Sequence, residues 1–239
     1  MHSFLIASFR NGLCAGLSLT IGLTISSYSP AAANEDRSLA QQGIVAQSAG
    51  NYAEAEAAYR AAIAQDPQNS TNYYNLGNAL GAQGKIEDAI ASYRTTLQLD
   101  PDNADAHYNL AYWLNAQGQV VEAIAAYRQA LTLQPFNADT YYNLGVLLSE
   151  QSQINEAETT LRRALLLNDT NVGAYRVLSN ILIAQGRLNE AEALLKRGIG
   201  YVPQNSTLYY QLGLTLQAQG RVQESTEAFE IVRRINLKG

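Results

Sequence analysis

The chain has 239 residues, 47% of them apolar, and its 16 Lys and Arg against 21 Asp and Glu leave a net charge of −5. That much apolar material is enough to bury a core, which excludes disorder over the whole length. A mildly acidic balance without basic runs argues against nucleic acid as a partner, whose binders carry a basic footprint.

Residues 1–33 differ from the rest. His2 and Arg10 precede an apolar, small-residue stretch from Leu13 to Ile25, and Pro30 is followed by Ala31, Ala32 and Ala33. This is the layout of a secretory signal peptide, with cleavage expected after Ala33. The apolar stretch is short for a membrane span, so no stable span is expected after cleavage. The alternative is an uncleaved segment that anchors the chain at its N-terminus. Cys14, the only cysteine, falls inside this segment, so the mature chain is expected to have neither disulfide nor thiol chemistry. The expected location is extracytoplasmic, either periplasmic or secreted.

From Asp36 a period of 34 residues runs to Gly239. Residues 34–239 therefore read as one repeat domain, with units at about 36–69, 70–103, 104–137, 138–171, 172–205 and 206–239. The pentapeptide YYNLG marks the period at Tyr73–Gly77 and Tyr141–Gly145, with HYNLA at His107–Ala111 and YYQLG at Tyr209–Gly213. Counted within a unit, position eight is small (Gly43, Gly77, Ala111, Gly145, Ser179, Gly213) and position twenty is Ala or Ser. Position twenty-four is large: Tyr59, Tyr93, Tyr127, Leu161, Leu195 and Phe229.

Each unit holds two apolar-periodic stretches of about a dozen residues, the length of short helices. Position fifteen, between them, is Gly in five units and Ser152 in the fourth, and Gly suits a left-handed turn between helices. Position nineteen is acidic in all six units, in the first turn of the second helix, where the macrodipole favours a negative charge. Asn69, Asn103, Asn137, Asn171 and Asn205 close the first five units and are expected to cap the next helix. One such hairpin cannot bury its apolar side alone, so its neighbours must stack on it.

These positions resemble the tetratricopeptide repeat, whose 34-residue signature places an aromatic residue, Leu-Gly, further aromatics, Ala and Pro at comparable spacing. The resemblance covers the chain from about residue 36 onward, with departures at Gln42, Ala46, Ser152, Asp169 and Gly198. It implies an all-α fold, a right-handed superhelical α-solenoid of stacked antiparallel helix hairpins. In that fold the first helices line a concave groove with positions two, five, six, nine and twelve.

Position six carries Asn75, Asn109 and Asn143, and position five carries Tyr74, Tyr108, Tyr142 and Tyr210, with Arg176 in the fifth unit. A carboxamide offers both donors and acceptors, matching an extended peptide backbone. Tyrosine adds rigid apolar area with a polar tip. The row is similar to the asparagine ladder in the repeat region of O-linked N-acetylglucosamine transferases, which holds the backbone of a bound polypeptide. By that resemblance Asn75, Asn109 and Asn143 contact a partner's backbone. The first Tyr, Leu and Gly of YYNLG are expected to serve stacking, and the second Tyr and the Asn to be free of it. A clamp for terminal carboxylates is disfavoured, because Asp105 and Asp139 at position two would repel one.

His107 is the only histidine after residue 33 and occupies a position that is Tyr in four other units, so an aromatic packing role is expected. No nucleophile–base set, metal-ligand cluster or phosphate-cradling loop is visible. No catalytic residue, metal or cofactor is expected. The function read from the sequence is a non-catalytic interaction module for a protein or extended peptide, acting as adaptor or assembly factor. Two alternatives stand beside it: a structural scaffold subunit of an envelope or membrane-associated complex, and a regulatory partner of a separately encoded transferase. No element follows the last helix to cover its stacking face, so self-association through that end is a further expectation.

Overall fold

The structure, a computed structural model, describes residues 30–237, with side-chain surroundings from residue 38. The expected signal peptide therefore lies outside the described residues except for its last four positions. The described chain forms α1 (Pro30–Ser48), α2 (Tyr52–Gln65), α3 (Ser70–Ala82), α4 (Ile86–Leu99), α5 (Ala104–Ala116), α6 (Val120–Leu133), α7 (Ala138–Glu150), α8 (Ile154–Leu167), α9 (Val172–Ala184), α10 (Leu188–Tyr201), α11 (Ser206–Ala218) and α12 (Val222–Asn236). Each repeat is one odd-numbered helix followed by one even-numbered helix.

The two helices of a repeat pack together as a hairpin, and each even-numbered helix packs on the odd-numbered helix that follows it. First helices of successive repeats also touch, as α1 does α3, α5 does α7, α7 does α9 and α9 does α11; successive second helices show no comparable packing. The odd-numbered helices therefore lie on the inside of the curve and form its concave face. The fold is the expected all-α solenoid.

Within each hairpin the large residue of position twenty-four lies on the small residue of position eight. Tyr59, Tyr93 and Tyr127 are each 1% exposed. A Cβ added at Gly43, Gly77 or Gly213 would come within 2.5, 2.8 or 2.6 Å of the ring of Tyr59, Tyr93 or Phe229. These contacts run into one continuous core from Ala46 to Ala228, as expected for repeats that bury apolar surface only against neighbours.

The turns follow the sequence closely. Gly50, Gly84, Gly118, Gly186 and Gly220 have φ between 73° and 78°, and Ser152 takes the same turn at φ 59°. Asn103, Asn137, Asn171 and Asn205 cap their helices by accepting from the backbone N–H of Ala106, Thr140, Ala174 and Leu208. Asn69 departs from the expectation, because its side chain makes no such bond at the start of α3.

The outer face carries a lattice of ion pairs between repeats. The position-twenty-five arginine of one repeat meets the position-nineteen acid of the next: Arg94–Glu122 at 2.7 Å, Arg128–Glu156 at 2.6 Å and Arg162–Glu190 at 3.6 Å. All of these side chains are about half exposed, so each pair contributes at most about 1 kcal/mol. A second row is better shielded. Glu56, Glu158 and Glu192 at position twenty-one, with side chains 7%, 15% and 13% exposed, meet Lys85, Arg187 and Arg221 at position sixteen of the next repeat. Where position twenty-one is the buried Ile90 or Ile124, position sixteen of the next repeat is Gln119 or Gln153, so base and acid come and go together. Hydrogen bonds from Lys196, then from Gln219 and Arg221, outweigh burial and hold the Glu192 carboxyl down at about 2. Burial works against the charge on Glu56, but Lys85, Gln83 and Arg60 together keep its carboxyl below the usual range.

Ser152→Gly is expected to raise stability by about 1 kcal/mol, since a left-handed residue with a Cβ is strained; the urea midpoint of unfolding reads the change. Glu192 has a folded pKa below its unfolded value, so its stabilising effect is complete above about pH 5 and lost as pH falls towards 2. Glu192→Gln is therefore expected to cost about 1 kcal/mol at pH 7 and to lose less stability than the unsubstituted protein between pH 5 and pH 2, by urea titration at each pH.

Candidate functional site

The concave face has Tyr at position five of four repeats and an amide at position six of most. Tyr74, Tyr108, Tyr142, Asn75, Asn109 and Asn143 are half-buried there, while Arg176 and Tyr210 are exposed. The rings of Tyr74, Tyr108 and Tyr210 lean on the ring of position twenty-four in their own hairpin, whereas that position is Leu161 in the hairpin of Tyr142. Centroids are 6.0 Å apart for Tyr74–Tyr93, 5.8 Å for Tyr108–Tyr127 and 5.6 Å for Tyr210–Phe229. Tilted and edge contacts of this kind suit the ring quadrupoles.

The asparagines connect repeats. Asn109 Nδ2 donates to Tyr74 Oη at 3.3 Å and to Asn78 Oδ1 at 3.1 Å, and Asn143 Nδ2 donates to Tyr108 Oη at 3.0 Å. Tyr93 Oη also donates to Asn78 Oδ1, at 2.7 Å, which joins the amide row to the core ring beneath it. The expectation that the second Tyr and the Asn are free of stacking is thus corrected: each such bond links residues 35 apart in sequence and ties two hairpins together. Asn75 differs, because position five of the preceding repeat is Ala40, which has no hydroxyl to offer. Only one edge of the bonded amides is used. Among the described residues no donor reaches Oδ1 of Asn75, Asn109 or Asn143, so the row presents acceptors to the groove.

The row changes character in the fifth repeat. Val177 at position six gives the hydroxyl of Tyr142 no amide, and that hydroxyl lies over Gly173, where an added Cβ would stand 2.5 Å from Oη. Arg176 takes the place of the tyrosine and points from an exposed position. Beside them, a cavity of about 610 Å³ opens between α7 and α9, with Val146, Ile154, Val177 and Ile181 in its wall. In the sixth repeat Gln211 is 6% exposed and its Oε1 has no hydrogen-bond partner.

Sequence reading named positions nine and twelve as groove positions without singling out residues. Tyr112, at position nine, is 50% exposed, with its ring centroid 5.0 Å from that of Trp113. Trp113 packs into the space left by Gly81 of the preceding repeat, where a Cβ would lie 2.7 Å from the indole. The signal was present in the pairing of a lone tryptophan with an extra glycine 32 residues before it. His107 Nε2 donates to the Pro101 carbonyl oxygen at 3.0 Å, a local contact at the start of its repeat. Among the described residues no group of three or more His, Cys, Asp or Glu could hold a metal ion, and no helix is long and apolar enough to cross a membrane.

Stacked helix hairpins with an open inner face of amides and tyrosines define a helical-repeat protein of the interaction-module class. Tetratricopeptide repeat models match residues 74–138 and 177–236 in one case and 114–181 in another, and a TPR repeat model matches residues 48–84. The chain belongs to the tetratricopeptide repeat family.

Solved structures agree on the fold. A tetratricopeptide repeat protein from Parabacteroides merdae is 22% identical, with a TM-score of 0.70 over 84% of this chain and 80% of that one. YrrB, described as a TPR protein with an unusual peptide-binding site, is 25% identical, with a TM-score of 0.64 over 74% of this chain and 91% of that one. The pilF protein of Pseudomonas aeruginosa is 18% identical, with a TM-score of 0.70 over 86% of this chain and 93% of that one. No curated protein matches the chain.

Asn143→Ala is expected to destabilise the solenoid by about 1 kcal/mol through loss of the bond to Tyr108, whereas Asn75→Ala, which breaks no such bond, stays within about 0.5 kcal/mol of the parent. Urea unfolding of the two single variants checks the difference.

Proposed function

We propose that the chain is a non-catalytic adaptor or assembly factor that holds an extended polypeptide along its concave face, outside the cytoplasm. The observation that carries the binding reading is the row of amide oxygens at Asn75, Asn109 and Asn143. Each accepts nothing from the described residues, and each is flanked by a half-exposed tyrosine. An extended backbone presents N–H donors at regular intervals, and a spaced set of acceptors on a rigid frame meets them without reorganisation. The nitrogen edge of two of these amides is held by the preceding repeat, so the acceptors are preset. Asp105 and Asp139 on the same face add negative charge near the middle of the groove, and both are exposed.

The likeness to YrrB, whose description names a peptide-binding site, supports a polypeptide as the ligand. The extracytoplasmic location is supported by the signal-like composition of residues 1–33. In this reading His107 has a local structural part, its ring being engaged by the Pro101 carbonyl.

One experiment tests both halves. A photoreactive phenylalanine analogue is placed at Tyr142 in the groove and, as control, at the exposed Gln129 on the outer helix α6. Irradiation of intact cells followed by mass spectrometry is expected to give polypeptide adducts from position 142 and few from 129, on a chain whose N-terminus is at or near Asn34. Adducts at equal yield from both positions would defeat the groove reading, and a mature chain beginning at Met1 would defeat the cleaved, exported form.

A further inference from the structure

The cavity between α7 and α9 interrupts a row of otherwise similar groove positions, and three features of it bear on a ligand. Its wall is apolar through Val146, Ile154, Val177 and Ile181. Its volume of about 610 Å³ falls in the range of sites that take up whole chemical groups. At its edge Arg176 is exposed and its guanidinium forms no hydrogen bond or ion pair with the described residues. On the outer face Arg94, Arg128, Arg162, Arg187 and Arg221 are paired, whereas Arg163, Arg233 and Arg234 form no ion pair with the described residues, so what distinguishes Arg176 is its place beside the cavity.

The charges on this opening have an order. Glu150 is the last residue of α7, whereas Arg176 lies in the second turn of α9. First helices of successive repeats run the same way, so the acid and the base stand at opposite ends of the cavity, and no ion pair joins them. They occupy positions thirteen and five of their repeats, a separation of about 12 Å along the helix direction at about 1.5 Å per residue. An extended chain covers that distance in about four residues.

We propose that this part of the groove receives an extended polypeptide segment that places an aliphatic side chain in the cavity and an adjacent acidic side chain on Arg176. This deepens the reading that the concave face binds polypeptide, and rests on it. The occupant is an extended segment lying along the opening between α7 and α9, because an unpaired cation at one end, an apolar wall and an acid at the far end are spaced as successive side chains of one chain can meet them. The acid it places on Arg176 is a side chain within the segment. Glu150 repels a second acid at the far end and favours a basic residue about four positions away. Val177 is the residue of the apolar wall that stands where the third and fourth repeats carry Asn109 and Asn143, so an asparagine there would restore the row.

The test begins with selection of a random dodecapeptide phage library on the full chain, followed by fluorescence polarisation with synthetic labelled peptides. The expected consensus is Asp or Glu next to Leu, Ile or Val. Arg176→Glu is expected to weaken binding about tenfold, and a peptide with Lys in place of the acid is expected to recover most of that loss on the variant. Val177→Asn, and separately Ala184→Phe at the exposed rim, are expected to weaken binding of the aliphatic peptide about tenfold, with melting by circular dichroism confirming that both variants are folded. Peptides that bind and are lost on Tyr142→Ala, yet are indifferent to Arg176→Glu and Val177→Asn, would overturn the inference and leave the groove reading standing. Affinity that disappears when the peptide's C-terminus is amidated would also overturn it, by showing that a terminal carboxylate is the ligand. A library that yields no binder would remove the groove reading, and this inference with it.

Discussion

A large side chain lying on a residue with almost none is the contact from which the rest of the molecule is built. At Gly77 and Tyr93, or Gly213 and Phe229, the distance to an added Cβ would be under 3 Å, so the two helices of these hairpins leave no room for a side chain there, while Ala111 and Ser179 hold the position in the third and fifth repeats. Burial of each such ring stabilises by about 1.5–3 kcal/mol, and the contact recurs along a core that no single hairpin could close. Because the approach within the hairpin is fixed by this pair, the relation of one hairpin to the next is nearly constant. A constant relation is what turns six local solutions into one continuous inner surface.

In the proposed function that surface serves stability and recognition with the same atoms. Tyr74 and Tyr108 rest on the core rings by one edge and accept an asparagine N–H from the next repeat at their hydroxyls. The asparagines spend one edge on the frame and turn the other to the groove. Preset acceptors lose little freedom on meeting a ligand, which is the physical advantage the proposed binding row would draw from its inter-repeat bonds. The outer face works on another logic, with acids and bases paired across each junction and an apolar Ile matched to a neutral Gln where the pair is absent. Wrong neighbours would bury a carboxylate or strand a base, so the pattern favours one order of repeats.

The fifth repeat is where regularity gives way. Val177, Arg176 and Gly173 depart from the row together, and the departures belong to one place in space: Gly173 makes room for the hydroxyl of Tyr142, which Val177 leaves without an amide. A frame that repeats so closely elsewhere makes such a cluster of changes in one place informative.

Much of this was legible in order along the chain. Period, helix pairs, Gly turns and most of the asparagine caps rest on interactions within a few residues, so local sequence carries them; Asn69 and the left-handed Ser152 are the places where the pattern and the geometry part. The sequence also supplied the row of position-five and position-six residues, and with it the concave face. By itself, then, it determined a stack of six similar hairpins, and the resemblance to a known repeat implied which helix of each faces inward. Only the tertiary structure decided that Asn109 and Asn143 hold the preceding repeat's tyrosines, that Glu192 on an outer helix meets Arg221 of the next repeat, and that a cavity opens beside Val177. These are contacts across about one full repeat or more. They depend on the rise and rotation between neighbouring hairpins, a quantity set by how the rings and glycines of the core fit, and no local propensity encodes it.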